Sequence, residues 1–281
     1  MDKLIIDRKK MADVFARYTS AYNINDEKIS LKVKHTYRVA ALCDRIARSL
    51  KLPDYDIDLA WAVGLLHDVG RFEQIRNFGT FSDADSIDHA HYAVSILFDE
   101  GKLEDYLGYG NPCVCQYIKD GGTGGKYGYE SLDIIKKAIW NHSAYKIEEG
   151  LDERTVLFCN IIRDADKLDI FKVVNDTPLE SMYNIDKNEI PYSEISSEVM
   201  QALREKHAVL RSLKKTPADY MAGYIALVFE LVFPESFCIA KEQGYLENIM
   251  DFKTENEKTK VQIKEIKEIV ENHMALYING R

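Results

Sequence analysis

Acidic and imidazole side chains placed on otherwise apolar helix faces constrain this chain more than any other feature it has. Its dominant period is helical. From Ser30 to Leu50 the apolar face runs Val39, Leu42, Ile46, Leu50, with charges opposite, the pattern of an amphipathic helix. His35 precedes Val39, Leu42 and Ile46 by 4, 7 and 11 residues, which puts it on that buried face. His67 and Asp68 end Leu59–Leu66, the most apolar run in the chain. His142 follows Ile135 and Ile139 by seven and three residues, and Asp166 shares a stripe with Phe158, Ile162 and Ile170 at steps of four. A single inward histidine is an ordinary hydrogen-bonded core residue. A carboxylate on an apolar stripe is different, because burying it unpaired is costly and it calls for a cation or several donors. Several such groups in one helical chain are reconciled by a shared divalent metal. Imidazole with carboxylate suits Fe, Mn, Ni, Co or Zn, or Mg at the hard end, and the lack of thiolates at these positions argues against a structural zinc site.

Further helices are expected at Asp85–Asp99, Leu132–His142, Arg154–Val174, Asp219–Val232 and Thr259–Tyr277. No period-two strand pattern and no internal repeat stands out, and only 6 prolines occur in 281 residues. The expected fold is therefore all-α. Between Gly108 and Gly128 lie seven of the 15 glycines, which reads as an inserted loop. Its GGTGGK fails the phosphate-loop pattern, since Asp120 stands where glycine is needed and Tyr127 where serine or threonine is.

Charge and cysteine content exclude some roles. Thirty-seven basic against 46 acidic residues leave a formal charge of −9, which argues against a nucleic-acid polymer as partner. The N-terminus carries no signal-peptide pattern, and the apolar stretch Tyr220–Phe233 is too short, and with Glu230 too charged, to span a bilayer. Five scattered cysteines then read as reduced thiols of a cytoplasmic protein. The lone Cys113-x-Cys115 is a weak metal signal.

His35, the adjacent His67-Asp68 in LLHDVGRFEQ, IDHA at 87–90, Asn141-His142 and Asp166 in RDADKLD occur in an order that resembles the HD superfamily of metal-dependent phosphohydrolases. The likeness covers about residues 25 to 180, and more faintly the helices to 250. It implies an HD-type helical bundle over 1–190 with the glycine-rich insertion at 108–128, and a helical extension over 191–281 packed on it. It implies that His35, His67, Asp68 and Asp166 ligate one metal. In two-metal members the doublet aspartate bridges, and two intervening histidines hold the second ion. His142 supplies one of these, and either His89 or His91 the other. Helical phase does not choose between them, and the DHA context favours His89. One or two ions are thus expected.

Such a metal acidifies bound water and offsets phosphoryl charge. With Asp68 it makes the catalytic core, and Arg71, one turn on, is placed by the resemblance against the phosphate, where a guanidinium grips bidentately. Lys146, Arg163 and Lys167 are weaker substrate-binding candidates than Arg71. Phe78–Phe81 and Asp83 suit a pocket entrance, core packing or a plain turn, and His207 and His273 read as surface or packing residues. The expected activity is hydrolysis of a phosphoester in a small phosphorylated metabolite, a nucleotide or cyclic nucleotide first among them. The alternatives are a non-catalytic metal-containing regulatory module and a di-iron oxygenase on the same scaffold. The closing helix suits pairing with a second copy or capping of the core.

Overall fold

A computed structural model describes residues 4–108, 114, 129–177 and 188–279. Most of the glycine-rich insertion, including Cys113 and Cys115, lies outside the described residues. Among those described there are helices and turns but no strand, as the periodicity requires. No helix among them is long and apolar enough to cross a membrane.

The chain divides into two compact units, Met1–Asp166 and Lys167–Arg281. The first contains α1 (Arg8–Ser20), α2 (Glu27–Ser49), α3 (Asp54–Leu66), α4 (Val69–Phe78), α5 (His89–Val94), α6 (Leu103–Leu107), α7 (Glu130–Asn141) and most of α8 (Glu153–Asp176). Local chemistry sets the boundaries. The Asp7 and Asp26 carboxylates accept backbone N–H bonds at the starts of α1 and α2. Gly79, at φ 67°, closes α4 in the left-handed conformation that suits glycine. The helix expected over Asp85–Asp99 begins later. Asp83–Asp85 form a single 3-10 turn, and Asp88 caps α5 by accepting from the N–H groups of Ala90 and His91. Beyond Val94 the chain widens into a π turn over Ser95–Asp99.

The second unit holds α9 (Ser197–Arg204), α10 (Pro217–Ile225), α11 (Pro234–Gln243), α12 (Tyr245–Met250) and α13 (Glu257–Ile278). The helix expected over Asp219–Val232 stops at Ile225 and tightens into a 3-10 turn, Ala226–Glu230. Its start is set by a reciprocal cap between Thr216 and Asp219. α13 packs on α9, α11 and α12, burying Ile266, Val270 and Met274. His273 belongs to that buried face, 5.0 Å from the Phe229 ring and 5.2 Å from that of Tyr277, while His207 pairs with Glu205 in an exposed position. These are the packing and surface roles expected of the two histidines.

In the first unit α2 and α3 form the most extensive helix pair, with α4 packed on α2 and α5, and α7 on α3 and α5. Two glycines allow these approaches. A Cβ on Gly64 would stand 2.7 Å from Ala40 Cα and 3.0 Å from Cys43 Sγ, and one on Gly70 would stand 2.8 Å from Ala93 N and meet the His89 carbonyl. Alanine is the better helix former by about 1 kcal/mol, but backbone atoms cannot yield as a side-chain tip can. The overpacking cost of about 1–3 kcal/mol therefore prevails. Gly64→Ala and Gly70→Ala each lower the midpoint of chemical denaturation, and an unchanged or raised midpoint would contradict the close approach.

Candidate metal centre

Five buried ligand-type side chains from four places in the first unit meet at one point. His35 comes from the middle of α2, His67 and Asp68 from the break between α3 and α4, His89 from the first turn of α5, and His142 from the end of α7. All five are at most 3% exposed. Asp166, from α8, joins them with its side chain partly accessible.

Asp68 is the centre of the arrangement. Its Oδ2 lies 3.4 Å from His35 Nε2 and 3.3 Å from His67 Nε2, and its Oδ1 lies 3.5 Å from His89 Nε2 and 3.8 Å from His142 Nε2. The result is two ligand groups that share one residue, His35–His67–Asp68 and Asp68–His89–His142. Asp166 Oδ1 stands 3.1 Å from His35 Nε2 and 3.9 Å from His67 Nε2, on the side of the first group.

The outer nitrogens of three imidazoles are already engaged. His67 Nδ1 donates to the Gly64 carbonyl at 2.7 Å, His142 Nδ1 to the Ile139 carbonyl at 2.7 Å, and His89 Nδ1 to Asp83 Oδ2 at 2.8 Å. Each such bond sets the tautomer, so that the inward Nε2 carries a lone pair. His67 Nε2 is buried with no hydrogen-bond partner. The Nε2 atoms of His89 and His142 face each other at 3.0 Å. With both outer nitrogens donating, two acceptors oppose one another there, an arrangement that needs a cation between them. Ligands held about 2.0–2.2 Å from a transition metal lie roughly 3–3.6 Å from each other, and the donor spacings here are of that order. The residues fit a divalent metal on geometry and on donor chemistry.

Electrostatics favour the ligand form of Asp68, Asp166, His142 and His89. Burial alone would raise the Asp68 carboxyl, but the Lys32 ammonium and the His67 and His35 imidazoles outweigh it and hold Asp68 well below the usual carboxylate range. Asp166 is likewise depressed, burial being outweighed by His35, His67 and His142. Burial, reinforced by His89 and His67, pushes His142 well below the ordinary imidazole value, and burial with Arg71 lowers His89. Neutral imidazole and ionised carboxylate are the forms that bind metal.

A polar frame surrounds the centre. Arg71 Nη1 donates at 2.7 Å to each of Asp83 Oδ1, Gln74 Oε1 and the Phe81 carbonyl. Its Nε is buried without a hydrogen-bond partner, 3.7 Å from Asp68 Oδ1. Asp83 therefore holds a ligand histidine with one oxygen and Arg71 with the other, and the turn that carries it takes a site position rather than a plain connecting one. Lys32 places Nζ 2.6 Å from Asp68 Oδ2. The helical stripe did not single this lysine out, although its offset of three residues before His35 on α2 was a usable signal.

The other sequence candidates lie elsewhere. His91 is exposed and stacks on Trp140, with ring centroids 3.6 Å apart, because the Asp88 cap fixes a phase that turns His89 inward. Lys146 is exposed beyond α7. Lys167 is buried and pairs with Glu230 at 3.5 Å. Arg163 donates to the carbonyls of Asn141, Ala144 and Tyr145, where a cation suits a helix C-terminus and anchors the segment that carries His142.

A family model for the HD domain matches residues 33–170, a span that contains all six candidate ligands. No curated protein and no solved structure matches the chain significantly.

Two predictions follow from this geometry. Because folding lowers the proton affinity of His142 and His89, the unfolded chain binds more protons than the metal-free folded one as pH falls through about 6.5, so stability drops there. The metal-free wild type loses stability between about pH 7 and 5 more steeply than His142→Asn, and equal slopes in denaturant titrations would contradict the assignment. Asp83→Asn, which weakens the bond orienting His89, lowers metal affinity roughly 10–100-fold in calorimetric titration of the metal-free protein, and an unaltered affinity would remove Asp83 from the site.

Proposed function

For this HD-domain protein, we propose metal-dependent hydrolysis of a phosphoester in a small phosphorylated metabolite, with nucleotides and cyclic nucleotides as the first class to test. The observation that carries the reading is the sharing of Asp68 between two ligand groups, which suits a pair of divalent ions flanking a reacting phosphoryl group. When bound, such ions supply an acidified water as nucleophile and neutralise charge on the phosphoryl oxygens.

The chain's own groups do the rest. His35, His67, Asp68 and Asp166 would hold one ion, and Asp68, His89 and His142 the other. The carbonyls of Gly64 and Ile139 and the Asp83 carboxylate keep the imidazoles turned inward. Arg71 is the substrate cation of this reading. Its Nη1 is tied back by three acceptors, so the guanidinium is held in place before substrate arrives, and the unused Nε–H beside Asp68 is a donor that a phosphoryl oxygen would satisfy. Holding that donor in a desolvated setting strengthens it toward charge that develops on the phosphoryl group.

The experiment is metal analysis of protein purified without chelator, with phosphomonoesters, phosphodiesters and nucleotides as substrates. About two transition-metal ions per chain, lost together with activity in Asp68→Ala, are expected. Arg71→Ala keeps the metal but loses roughly 10²–10³-fold in kcat/KM, the scale of one preorganised donor removed. A wild-type protein that holds no metal and takes none up on reconstitution would overturn the reading.

A further inference from the structure

Lys32 and Arg71 flank the two oxygens of one buried carboxylate. Lys32 Nζ lies 2.6 Å from Asp68 Oδ2, and Arg71 Nε lies 3.7 Å from Asp68 Oδ1. The Phe81 ring lies against both cations, 5.5 Å from Lys32 Nζ and 5.8 Å from Arg71 Cζ. The Lys32 side chain is 17% exposed and that of Asp68 only 2%, so the ion pair is largely desolvated and its strength is not that of a surface pair.

The oxygen that Lys32 holds is also the one facing His35 and His67. An ammonium has three donors and no lone pair, so it cannot become a ligand. It either shares Oδ2 with a metal as an outer hydrogen-bond donor or gives that oxygen up to it. Arg71 is anchored through Asp83, Gln74 and the Phe81 carbonyl, whereas among the described residues Lys32 hydrogen-bonds to Asp68. The flexible four-carbon stem makes Lys32 the movable cation of the pair.

Resting on the phosphohydrolase reading above, we propose that Lys32 is an internal counter-cation, which neutralises Asp68 in the metal-free protein and is released by metal binding to take the substrate's phosphoryl group. Anion binding is then conditional on metal loading. In the metal-free state Lys32 is occupied by Asp68. In the loaded state a cation displaced beside divalent ions favours an incoming anion. Phosphate and metal consequently reinforce each other's binding, by the same factor in each direction.

The bland alternative is a structural ion pair that fixes the Asp68 rotamer, and the two ideas differ in sign. If Lys32 merely positions Asp68, removing it weakens metal binding. If Lys32 competes, removing it tightens metal binding and weakens phosphate binding.

The test is calorimetric titration of the full-length metal-free chain with Mn2+, then of the Mn2+-loaded chain with inorganic phosphate, for wild type, Lys32→Met and Lys32→Arg. Lys32→Met is expected to bind Mn2+ roughly tenfold tighter, since a desolvated ion pair no longer has to be broken, and the loaded variant to bind phosphate roughly tenfold more weakly. Lys32→Arg retains the phosphate affinity. Unchanged or weakened Mn2+ affinity in Lys32→Met overturns the proposal, as does unchanged phosphate affinity. Wild type alone gives a second measurement that does not depend on a variant folding: Mn2+ titrations with and without phosphate must differ, and identical affinities overturn the proposal. A wild type that binds no Mn2+ sinks the phosphohydrolase reading as well. A wild type that binds Mn2+ and phosphate, with Lys32→Met indistinguishable from it, sinks the role of Lys32 alone.

Discussion

One carboxylate, Asp68, faces four imidazoles across the interior of the first unit, and the geometry around it is intelligible only as a response to that crowding. Its two oxygens are divided between two histidine pairs, at 3.3–3.4 Å on one side and 3.5–3.8 Å on the other. A buried charge without compensation costs several kcal/mol, and lone pairs that face one another add to that. The helix break before Asp68 is part of the response. His67 closes α3 and Asp68 opens α4, so two adjacent residues reach the same cluster, which continuous helical geometry would turn about 100° apart. The two close approaches at Gly64 and Gly70 bring α2 and α5 near enough for their histidines to meet that carboxylate.

The polar frame serves two groups at once, a candidate metal ligand and a candidate substrate cation. Asp83 binds His89 through one oxygen and Arg71 through the other, so a single carboxylate fixes both a ligand and a phosphate-binding candidate. Gln74 knits the same turn together, accepting from Arg71 and donating to Asp83, Ser86 and the Ile87 carbonyl. This explains a fully buried glutamine in α4, which an apolar residue would replace if packing alone mattered. Among the described residues Lys32 is held by Asp68 and lies beside Phe81, and the contrast between an anchored guanidinium and a more movable ammonium is the physical basis for assigning them different parts.

Helical phase made much of this legible. It placed His35, His142 and Asp166 on inward faces, and the apolar run before His67 announced a buried doublet; the all-α fold followed from the same period. What phase could not give were relations between segments distant in sequence. His89 and His91 differ by two residues, and only the Asp88 cap, which starts α5 at His89 rather than at residue 85, decides which ring turns inward. Lys32 is an ordinary lysine in a charged helix until α4 brings Asp68 to it from 36 residues away. Asp83 lies in a turn, where no periodicity exists to mark it. The cation candidates lie in different places for the same reason: Arg71 shares the first turn of Asp68's own helix, whereas Arg163 reaches the carbonyls that end α7.

A cluster of this kind works against stability in the absence of metal. Four buried imidazoles and a carboxylate held ionised stand where apolar side chains would each contribute about 1.5–3 kcal/mol on burial. A ligand that binds only the folded state returns stability in proportion to the logarithm of its concentration over its dissociation constant, about 2.7 kcal/mol at a hundredfold excess. Metal binding therefore acts on the fold and on the chemistry through the same atoms. Lys32 moderates the first effect, since its ammonium already offsets the Asp68 charge at 2.6 Å. On the proposed role of Lys32, metal binding breaks that contact, and its strength sets how far substrate and metal depend on one another.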